Sequence, residues 1–507
     1  MKKNILKKYI EILKENNLLL EESISEELKE KEIEIVTYDS RDVKQNTLFI
    51  CKGAKFKIDY LEKSLNSGAI AYVAEEQYKI ENKPYIIVKD LRKVLAILAE
   101  IYTDYPQRKL NMIGLTGTKG KSTTSYYIKY ILDDYMKELG KSDTAIISSI
   151  NTYDGKEETE SVLTTPEPIE LFTHIRNAVD CNIENLVMEV CSQALKVDRV
   201  YDIMYKYGAF LNISEDHIST LEHKDFEEYF TSKLKFFDQI ENAVINLNTD
   251  ELERVMESAQ KCKKIITFGN TENADVYGYN IRKEGMNTVF NVRTKYFDEE
   301  ILLTMPGLFN VENALAAIAI TSDMGVPYKN IYNGLKKARA SGRMEVYSNK
   351  NQEVIVIVDY AHNRLSFQKL YESTIKEYPK REIVTVFGCP GDHAINRRKE
   401  LGELSGKYSD MNYLTMEDPR NEDVEKICKE ISVYVEKENG KYKIVLDREE
   451  AIKQAIFNAK PNTVILITGK GNETVQFVKG KYVPCETDVN YAKKYLKELD
   501  KSKSASH

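Results

Sequence analysis

The sequence predicts an α/β protein of several domains with a mostly parallel central sheet. Short apolar runs of strand type alternate with helix-length segments along most of the chain, which is typical of parallel sheets covered by helices on both faces. A chain of 507 residues is long for a single core, so about three domains are expected. A glycine-rich turn at residues 117–123 lies between a strand-like run and a helical run, where such sheets collect their ligands.

The bulk composition describes a globular protein and excludes several functional classes. Hydrophobic residues make up 42% of the chain and charged residues 30%, as in folded domains. The net charge of −7, with both signs interspersed, gives no reason to expect nucleic acid as a partner. No run spans a membrane, and the N-terminus predicts an amphipathic helix, not a signal peptide. Seven scattered cysteines without a CxxC pair predict reduced thiols in a cytoplasm, with neither disulfides nor zinc.

The first region, residues 1–107, is predicted to be a compact α/β domain. Four strand candidates, IEIVTYDS, NTLFICKG, AIAYVAEE and PYIIVKD, alternate with helical stretches such as 91–102. Pro106 marks its boundary.

The turn at residues 117–123 has the order of a phosphate-binding P-loop: a strand, a glycine-rich turn, Lys-Ser and a helix. Its glycines allow backbone N–H groups to surround phosphates, Lys121 supplies a cation, and Ser122 is a candidate Mg²⁺ ligand. The leading glycine of the usual motif is displaced, because its position is Leu115 and Gly114 lies one residue earlier. A simple glycine turn before a buried helix is the alternative, and nucleotide binding is the favoured interpretation.

The middle region, residues 108–343, carries apolar runs joined by helix-length segments, and these predict the parallel sheet. Thr116, Glu189 and Asn212 fall at the ends of three runs, so they are expected at one edge of the sheet. Residues 274–303 alternate more strictly and predict antiparallel strands. The runs lie at 112–116, 144–149, 186–190, 208–213, 243–248 and 265–269.

Two residues of this region are candidate Mg²⁺ ligands beside Ser122. Glu189 ends an apolar run and His217 follows another, although Mg²⁺ prefers oxygen ligands. A helix-capping glutamate and an ordinary loop histidine are the alternatives for each residue alone. Lys233 shares a helix face with Tyr229 and Phe237, and its spacing predicts only a solvated lysine.

Two further positions suggest nucleotide contacts. Asn310 precedes a helix of small residues, and with Asn313 it could reach a purine from one helix face; ordinary helix packing is the alternative. Arg343 lies at the predicted domain boundary, where it would contact phosphates only when the domains close.

The third region, residues 344–507, is predicted to be another α/β unit with polar groups at three strand ends. These groups suggest one small-molecule pocket, although charged loop ends are also common without function. Arg420 and Glu473 could together bind a zwitterion. The strand ends carry Asp359 with His362, then 417–420, then 469–473.

From about Tyr38 to its end, the chain resembles the Mur ligases, most closely the branch that forms a UDP-linked muramoyl tripeptide. The resemblance implies an N-terminal domain for a UDP-sugar, a central ATPase domain and a C-terminal Rossmann-like domain for the incoming amino acid. The motifs that carry it are YDSR, TGTKGKSTT, LTTPEP, MEVCSQAL, NISEDH, YFTSK, LFNVENALAA, SGRMEV, VDYAH, VFGCPGD, EDPR and TGKGNE.

The resemblance also implies roles for individual residues around ATP. Ser122 and Glu189 would bind one Mg²⁺, and His217 with a carbamylated Lys233 would bind a second. Asn310 and Asp359 would contact the nucleotide, and Arg343 a phosphate. The P-loop contacts implied are Gly117, Thr118, Lys119, Gly120, Lys121, Ser122 and Thr123.

Two substrate sites follow from the same resemblance. The UDP-muramoyl peptide would contact Ser40, Thr164, Thr165, Cys191 and Arg199. The amino acid would contact His362, Asp418, Arg420, Gly469 and Glu473.

The motifs depart from the family at the amino-acid site, where the usual Asp-Asn-Pro-Arg is Glu417-Asp418-Pro419-Arg420. The retained arginine favours a second carboxylate on the amino acid, as in meso-diaminopimelate. The added charge of Asp418 would instead favour a side-chain ammonium, as in lysine. Cys191-Ser192-Gln193 also replaces the usual Ser-Ser-His, and the segment between His217 and His223 is two residues longer.

The function implied is an ATP-dependent ligase that adds diaminopimelate or a related diamino acid to UDP-N-acetylmuramoyl-L-Ala-D-Glu through an acyl phosphate. We expect a cytoplasmic monomer without nucleic-acid or membrane partners. The alternatives are a lysine-adding ligase, an archaeal pseudomurein ligase, a folylpolyglutamate-type ligase and a non-catalytic P-loop nucleotide sensor.

Overall fold

The computed structural model describes residues 3–53, 56–80, 83–215, 222–285, 287–340, 342, 344–392 and 394–504. The chain divides into two compact units. Unit 1 comprises residues 1–276 and 316–334, and unit 2 comprises residues 277–315 and 335–507. The predicted α/β class with mostly parallel sheets is confirmed, whereas the predicted boundaries at 107/108 and 343/344 stay a prediction.

The N-terminal part of unit 1 is a five-stranded sheet in the order β1-β5-β4-β3-β2, in which only the β1–β5 pair is antiparallel. Its amphipathic first helix was predicted, and it buries Leu6, Tyr9 and Leu13 in the core of this sheet. The strands are β1 (Leu19–Ser23), β2 (Ile35–Thr37), β3 (Thr47–Ile50), β4 (Ala69–Ala74) and β5 (Tyr85–Val88). The helices are α1 (Leu6–Glu15), α2 (Glu26–Lys29), α3 (Ile58–Asn66) and α4 (Leu91–Tyr102).

The rest of unit 1 has a second sheet, whose strands follow the order β13-β12-β11-β6-β10-β7-β8-β9. The strands from β13 to β7 are parallel, and β7, β8 and β9 pair antiparallel. The strands are β6 (Asn111–Thr116), β7 (Ala145–Ile147), β8 (Asn151–Tyr153), β9 (Glu158–Glu160), β10 (Asn185–Glu189), β11 (Tyr205–Phe210), β12 (Ile240–Asn246) and β13 (Lys264–Gly269). The helices are α5 (Lys121–Glu138), α6 (Pro168–Asp180), α7 (Ser192–Lys196), α8 (Phe226–Leu234) and α9 (Leu252–Ala259), with 3-10 turns at Pro106–Lys109 and Lys235–Gln239.

The register of the central strands brings their polar ends together, as the sequence predicts. Glu189 of β10 pairs with Leu115 of β6, and Phe210 of β11 pairs with Thr116 of β6. Because all three strands are parallel, the residues that follow them emerge at the same edge of the sheet. This edge carries the glycine-rich turn.

Unit 2 contains the antiparallel strands predicted within 274–303 and a six-stranded sheet in the order β17-β18-β22-β19-β20-β21. Only the β17–β18 pair of that sheet is antiparallel. The strands that follow β13 are β14 (Val276–Glu284), β15 (Asn287–Arg293), β16 (Asp298–Leu303), β17 (Glu345–Ser348), β18 (Val354–Asp359), β19 (Glu382–Phe387), β20 (Met411–Leu414), β21 (Tyr442–Ile444), β22 (Thr463–Thr468), β23 (Val475–Val478) and β24 (Lys481–Pro484). The helices α10 (Asn310–Asp323) and α11 (Tyr328–Lys337) are shared between the two units, because residues 316–334 belong to unit 1. The remaining helices, all in unit 2, are α12 (Arg364–Glu377), α13 (Asn396–Tyr408), α14 (Val424–Lys437), α15 (Arg448–Phe457) and α16 (Asp488–Ser504).

The cysteines and the apolar helices bear on two expectations drawn from the composition. All seven cysteines lie in the described part of the chain, and all are free thiols. Within the described ranges, no helix combines the length and the apolar character needed to cross a membrane.

Candidate active site

The glycine-rich turn joins β6 to α5 through two glycines in left-handed backbone conformations. Gly117 has φ +151° and Gly120 has φ +86°, and α5 begins at the next residue, Lys121. A Cβ on Gly117 would lie 3.0 Å from the Cβ of Leu211. Both positions therefore favour glycine, and the turn has the backbone that a P-loop requires.

Gly114, the displaced glycine of the motif, serves packing within β6. A Cβ at this position would lie 2.6 Å from the Phe236 ring and 2.8 Å from the Tyr205 ring. Those two rings pack edge to face with centroids 5.1 Å apart. Glycine is thus required at position 114 because the two rings leave no room for a side chain on the strand, and Gly114 is not part of the turn.

Asn212, which follows β11, holds the turn in place. Its side-chain Oδ1 accepts from the Lys119 N–H at 2.8 Å, and its Nδ2 donates to the Lys119 carbonyl at 3.0 Å. The Asn212 carbonyl also accepts from the Thr118 N–H at 3.0 Å. Three hydrogen bonds from one residue fix the backbone of the turn before any ligand binds.

The predicted phosphate contacts occupy the turn and the first turn of α5. The Lys121 ammonium donates to the Gly117 carbonyl at 2.8 Å, so it already lies over the turn. Ser122 and Thr123 are buried beside it. A cation, backbone N–H groups and a helix N-terminus are the elements that bind phosphates.

Ser122 is linked to Glu189 through Ser149, a residue that the sequence did not single out. The hydroxyl oxygens of Ser122 and Ser149 are 2.9 Å apart. Glu189 Oε1 accepts from the Ser149 N–H at 2.9 Å and from its hydroxyl at 3.3 Å. A hydroxyl and a carboxylate at the start of a P-loop helix are the hard oxygen donors that suit Mg²⁺, so this pair fits the predicted metal.

Lys233 is buried, contrary to the solvated lysine that its spacing predicts. Its side chain lies on α8 with the residue only 1% exposed, and its ammonium donates to the Gly117 carbonyl at 3.0 Å. Tyr229, one helical turn earlier, places its hydroxyl 3.0 Å from the hydroxyl of Thr118. Helix α8 therefore contacts the glycine-rich turn at two points.

His217, the other predicted metal ligand of this region, lies outside the described residues. Among the residues that are described, no group of three His, Cys, Asp or Glu side chains is arranged to hold a metal ion. The nearby His223 is fully buried, with Nε2 3.0 Å from the Ser192 hydroxyl and Nδ1 3.8 Å from the Glu228 carboxylate. His223 thus joins α7 to α8.

Three of the predicted acceptor-binding residues contact one another next to Glu189. The Thr165 hydroxyl donates to the Glu189 carbonyl at 2.8 Å and accepts from the Cys191 N–H at 3.1 Å. Arg199 Nη1 donates to the Thr165 carbonyl at 3.1 Å. Thr164 is half-buried before Thr165, and Ser40 lies half-buried in the turn after β2.

A half-buried ion cluster supports Arg199 and was missed by sequence reasoning. Glu167 Oε1 lies 2.8 Å from Arg199 Nε, and the Glu167 carboxylate also pairs with the Lys52 ammonium. Burial alone would raise the pKa of Glu167, but these cations hold it below its usual value. Lys52 follows β3, so the cluster connects the N-terminal sheet with the segment that carries Thr165.

In unit 2, the predicted nucleotide contacts Asp359 and Asn310 have protein partners. The Asp359 carboxylate accepts from the N–H groups of Met344 and Ala361, each at 2.8 Å. Asn310 Nδ2 donates to the Pro306 carbonyl at 2.6 Å, and its Oδ1 accepts from Asn313 at 2.9 Å. Arg343 lies outside the described residues.

The predicted amino-acid site of unit 2 is held around Lys470, which the sequence did not single out. The Lys470 ammonium donates to Asp418 Oδ1 at 2.9 Å and forms an ion pair with Glu473. The Tyr360 hydroxyl donates to Glu473 Oε1 at 2.8 Å, and the Tyr360 and His362 rings are 4.9 Å apart. These contacts bring together the ends of β18, β20 and β22.

Glu417 and Arg420 flank this cluster. Burial raises the pKa of Glu417 to about 7, and its carboxyl carbon would lie 3.7 Å from a Cβ on Gly469. Arg420 has φ +53°, and its guanidinium carbon lies 5.4 Å from the centroid of the Phe477 ring.

The sheet order and the turn define an α/β protein of the P-loop class, with a second α/β unit that carries a cluster of charged side chains at its strand ends. Comparison with protein families gives the particular family. Residues 115–321 match the Mur ligase middle domain, and residues 342–471 match the Mur ligase glutamate ligase domain. The chain belongs to the Mur ligase family.

Two curated relatives match nearly the whole chain. The UDP-N-acetylmuramoyl-L-alanyl-D-glutamate–L-lysine ligase of Enterococcus faecalis is 37% identical over 94% of this chain and 94% of its own length. The UDP-N-acetylmuramoyl-L-alanyl-D-glutamate–2,6-diaminopimelate ligase 1 of Clostridium acetobutylicum is 34% identical over 92% of this chain and 95% of its own.

A solved structure matches the fold over the same extent. The structure titled UDP-N-acetylmuramoyl-L-alanyl-D-glutamate–2,6-diaminopimelate ligase superposes with a TM-score of 0.68 at 23% identity. It covers 98% of this chain and 99% of that chain, which confirms the predicted fold class.

Proposed function

We propose that this protein is the ATP-dependent ligase that joins a diamino acid to UDP-N-acetylmuramoyl-L-Ala-D-Glu. The observation that carries the proposal is the double role of Glu189. Its carboxylate reaches Ser122 through Ser149, whereas its backbone carbonyl accepts from Thr165. One strand end thus supports both the predicted nucleotide site and the predicted acceptor site, as transfer between two bound substrates requires.

The proposed reaction has two steps, phosphorylation of the acceptor carboxylate and then formation of the amide. An oxygen of the acceptor's terminal carboxylate attacks the γ-phosphorus of ATP, the bond to ADP breaks, and an acyl phosphate forms. The neutral amine of the diamino acid then attacks the acyl carbon, loses a proton, and expels inorganic phosphate as the amide forms.

The residues of the glycine-rich turn act in the first step. Lys121 and the backbone N–H groups of 117–122 stabilise the charge of the phosphoryl group, and Asn212 keeps the turn in the required conformation. Thr165, Cys191 and Arg199, with Ser40 and Thr164, orient the acceptor. This role is supported by the contacts among Thr165, Cys191 and Arg199 beside Glu189.

The metal sites belong to the same proposal. Ser122 and Glu189 would hold one Mg²⁺, and His217 with a carbamylated Lys233 would hold a second. Bound Mg²⁺ neutralises charge on the phosphates and orients the transferring group. The burial of Lys233 against the Gly117 carbonyl supports a role at the turn.

Outside the glycine-rich turn, the proposed nucleotide contacts are Asn310, Asp359 and Arg343. We also propose three domains, 1–107 for the UDP-sugar, 108–343 for ATP and 344–507 for the amino acid, in a cytoplasmic monomer without nucleic-acid or membrane partners. Seven free thiols and a net charge of −7 support the location and the absence of nucleic acid.

The test is ADP formation measured with a coupled assay over a panel of acceptors and amino acids. We expect ADP release only when ATP, Mg²⁺, the UDP-linked dipeptide and a diamino acid are all present. Turnover with a folate acceptor in place of the UDP-dipeptide would indicate the folylpolyglutamate-type activity. Slow hydrolysis of ATP that no acceptor accelerates would indicate a nucleotide sensor and contradict the proposal.

A further inference from the structure

An ion triad, Asp418–Lys470–Glu473, lies at the predicted amino-acid site of unit 2, with a buried lysine between two half-buried carboxylates. The Lys470 side chain is only 4% exposed. Its ammonium donates to Asp418 Oδ1 at 2.9 Å and to the Val475 carbonyl at 2.8 Å, and it pairs with Glu473. Burial alone would lower the pKa of Lys470, but the two carboxylates raise it, so the lysine stays charged.

The triad is held from behind by a second buried ion pair. Arg448 Nε and Nη2 each lie 2.7 Å from the Asp488 carboxylate, and Arg448 also donates to the Thr468 carbonyl at 2.8 Å. The Asp488 carboxylate accepts from the Gly471 N–H at 3.1 Å. The strand end and turn on both sides of Lys470 are therefore fixed, and a fixed cation determines the local field.

Arg420 provides the second cation of the pocket, and its backbone is also fixed. The Arg420 N–H donates to the Phe477 carbonyl at 2.8 Å, and its carbonyl accepts from the Lys479 N–H at 2.6 Å. Its guanidinium lies over the Phe477 ring and makes no ion pair with any described residue. Lys470 is already neutralised by protein carboxylates, whereas Arg420 is available to a ligand carboxylate.

These contacts determine the net charge of the site that would face the side-chain end of a bound amino acid. Asp418 and Glu473 supply two negative charges, and Lys470 and Arg420 supply two positive charges. Burial raises the pKa of the neighbouring Glu417 to about 7, so this carboxyl adds only part of a further negative charge at neutral pH. The carboxylates can bind an ammonium of the ligand, and the Arg420 guanidinium can bind a carboxylate of the ligand. The site therefore matches an end group that carries both an ammonium and a carboxylate. A bare ammonium would meet carboxylates whose charge Lys470 already offsets.

We propose that Lys470 is a specificity-determining residue, an internal counter-cation that makes the pocket prefer a distal amino-carboxylate group over a bare side-chain ammonium. This inference rests on the proposed ligase function. It assigns the selectivity between diaminopimelate and lysine to the charge balance of the triad as well as to Arg420.

The test compares kcat/KM for meso-diaminopimelate and for L-lysine in two variants that change the charge in opposite directions. Lys470→Met removes a positive charge, so the preference for diaminopimelate over lysine should fall at least about tenfold. Asp418→Asn removes a negative charge, so the same ratio should rise. Opposite shifts are not produced by a general loss of folding, because such a loss lowers kcat/KM for both substrates together.

Lys481→Met serves as the matched control, because Lys481 lies in β24 with an exposed side chain. It should leave the ratio within about twofold of the wild-type ratio. A wild-type preference for lysine, or a ratio that moves in the same direction or not at all in both variants, would overturn the inference. Absence of turnover with every amino acid in the wild type would instead overturn the proposed function.

Discussion

At the scale of single residues, Lys121 is expected to contribute most to phosphoryl transfer. Lys121 is the first residue of α5, and its ammonium lies 2.8 Å from the carbonyl oxygen of Gly117 in the glycine-rich turn. Lys121→Ala should lower kcat for acceptor-dependent ADP formation by about 10²–10³, as loss of one group that stabilises transition-state charge does. The thermal melting temperature should change little, because the side chain is not in the core.

Lys137→Ala is the control for this variant, since Lys137 lies on the same helix with an exposed side chain. It removes the same charge and should retain wild-type kcat. Normal phosphate release by Lys121→Ala would show that the turn does not bind the transferring phosphates.

Single residues also show what the sequence could and could not predict about the site. Asn212 was predicted at the sheet edge because parallel strands deliver their ends together, and it does hold the turn there. Ser149 and Lys470 were not singled out, because a serine or a lysine in a loop has no spacing signature. Their importance comes from contacts at 2.9 Å with Ser122 and Asp418, which are distant in sequence.

At the scale of secondary-structure elements, the end of α4 carries a carboxyl group whose charge depends on pH. Glu100 is buried and accepts from Gln107 Nε2 at 2.6 Å and Arg108 Nη2 at 2.7 Å, both in the 3-10 turn that follows α4. Burial and the nearby Asp202 raise the pKa of Glu100 to about 7. The folded state therefore binds a proton that the unfolded state releases at lower pH.

This shift predicts that the folded protein loses stability as pH rises from about 4.5 to about 7. Glu100→Gln stays neutral, so its melting temperature relative to the wild type should increase between pH 5 and pH 8. Over this range, the free energy of unfolding of the variant should rise relative to that of the wild type by on the order of 2 kcal/mol. Glu11→Gln, at an exposed position of α1, should show no such change, and a constant difference for Glu100→Gln would contradict the assignment.

The elements themselves were predictable where the apolar pattern was continuous. The helix predicted at 91–102 is α4, and the run at 265–269 corresponds to β13 (Lys264–Gly269). The short strands β8, β9 and β21 were not predicted, because three residues are too few to show a period of two. Their strand conformation is set by pairing with neighbours and not by local sequence.

At the scale of the whole molecule, the proposed chemistry is divided between the two compact units. The glycine-rich turn and the predicted acceptor contacts belong to unit 1, whereas unit 2 contains the Lys470 triad as well as the proposed nucleotide contacts Asn310 and Asp359. Formation of the acyl phosphate and its capture by the amine should therefore be separable by mutation. A variant of the triad, which the proposal assigns to the amino acid, should lose the second step and keep the first.

Glu473→Gln tests this separation. It removes one of the two carboxylate charges that face Lys470, at a residue proposed to contact the amino acid, so kcat/KM for the amino acid should fall at least about 10²-fold. Acyl-phosphate formation without the amino acid, measured by trapping with hydroxylamine, should stay within about threefold of the wild-type value. Lys121→Ala should lose both activities. Equal loss of both steps in Glu473→Gln, with an unchanged melting temperature, would show that the triad also acts in phosphoryl transfer.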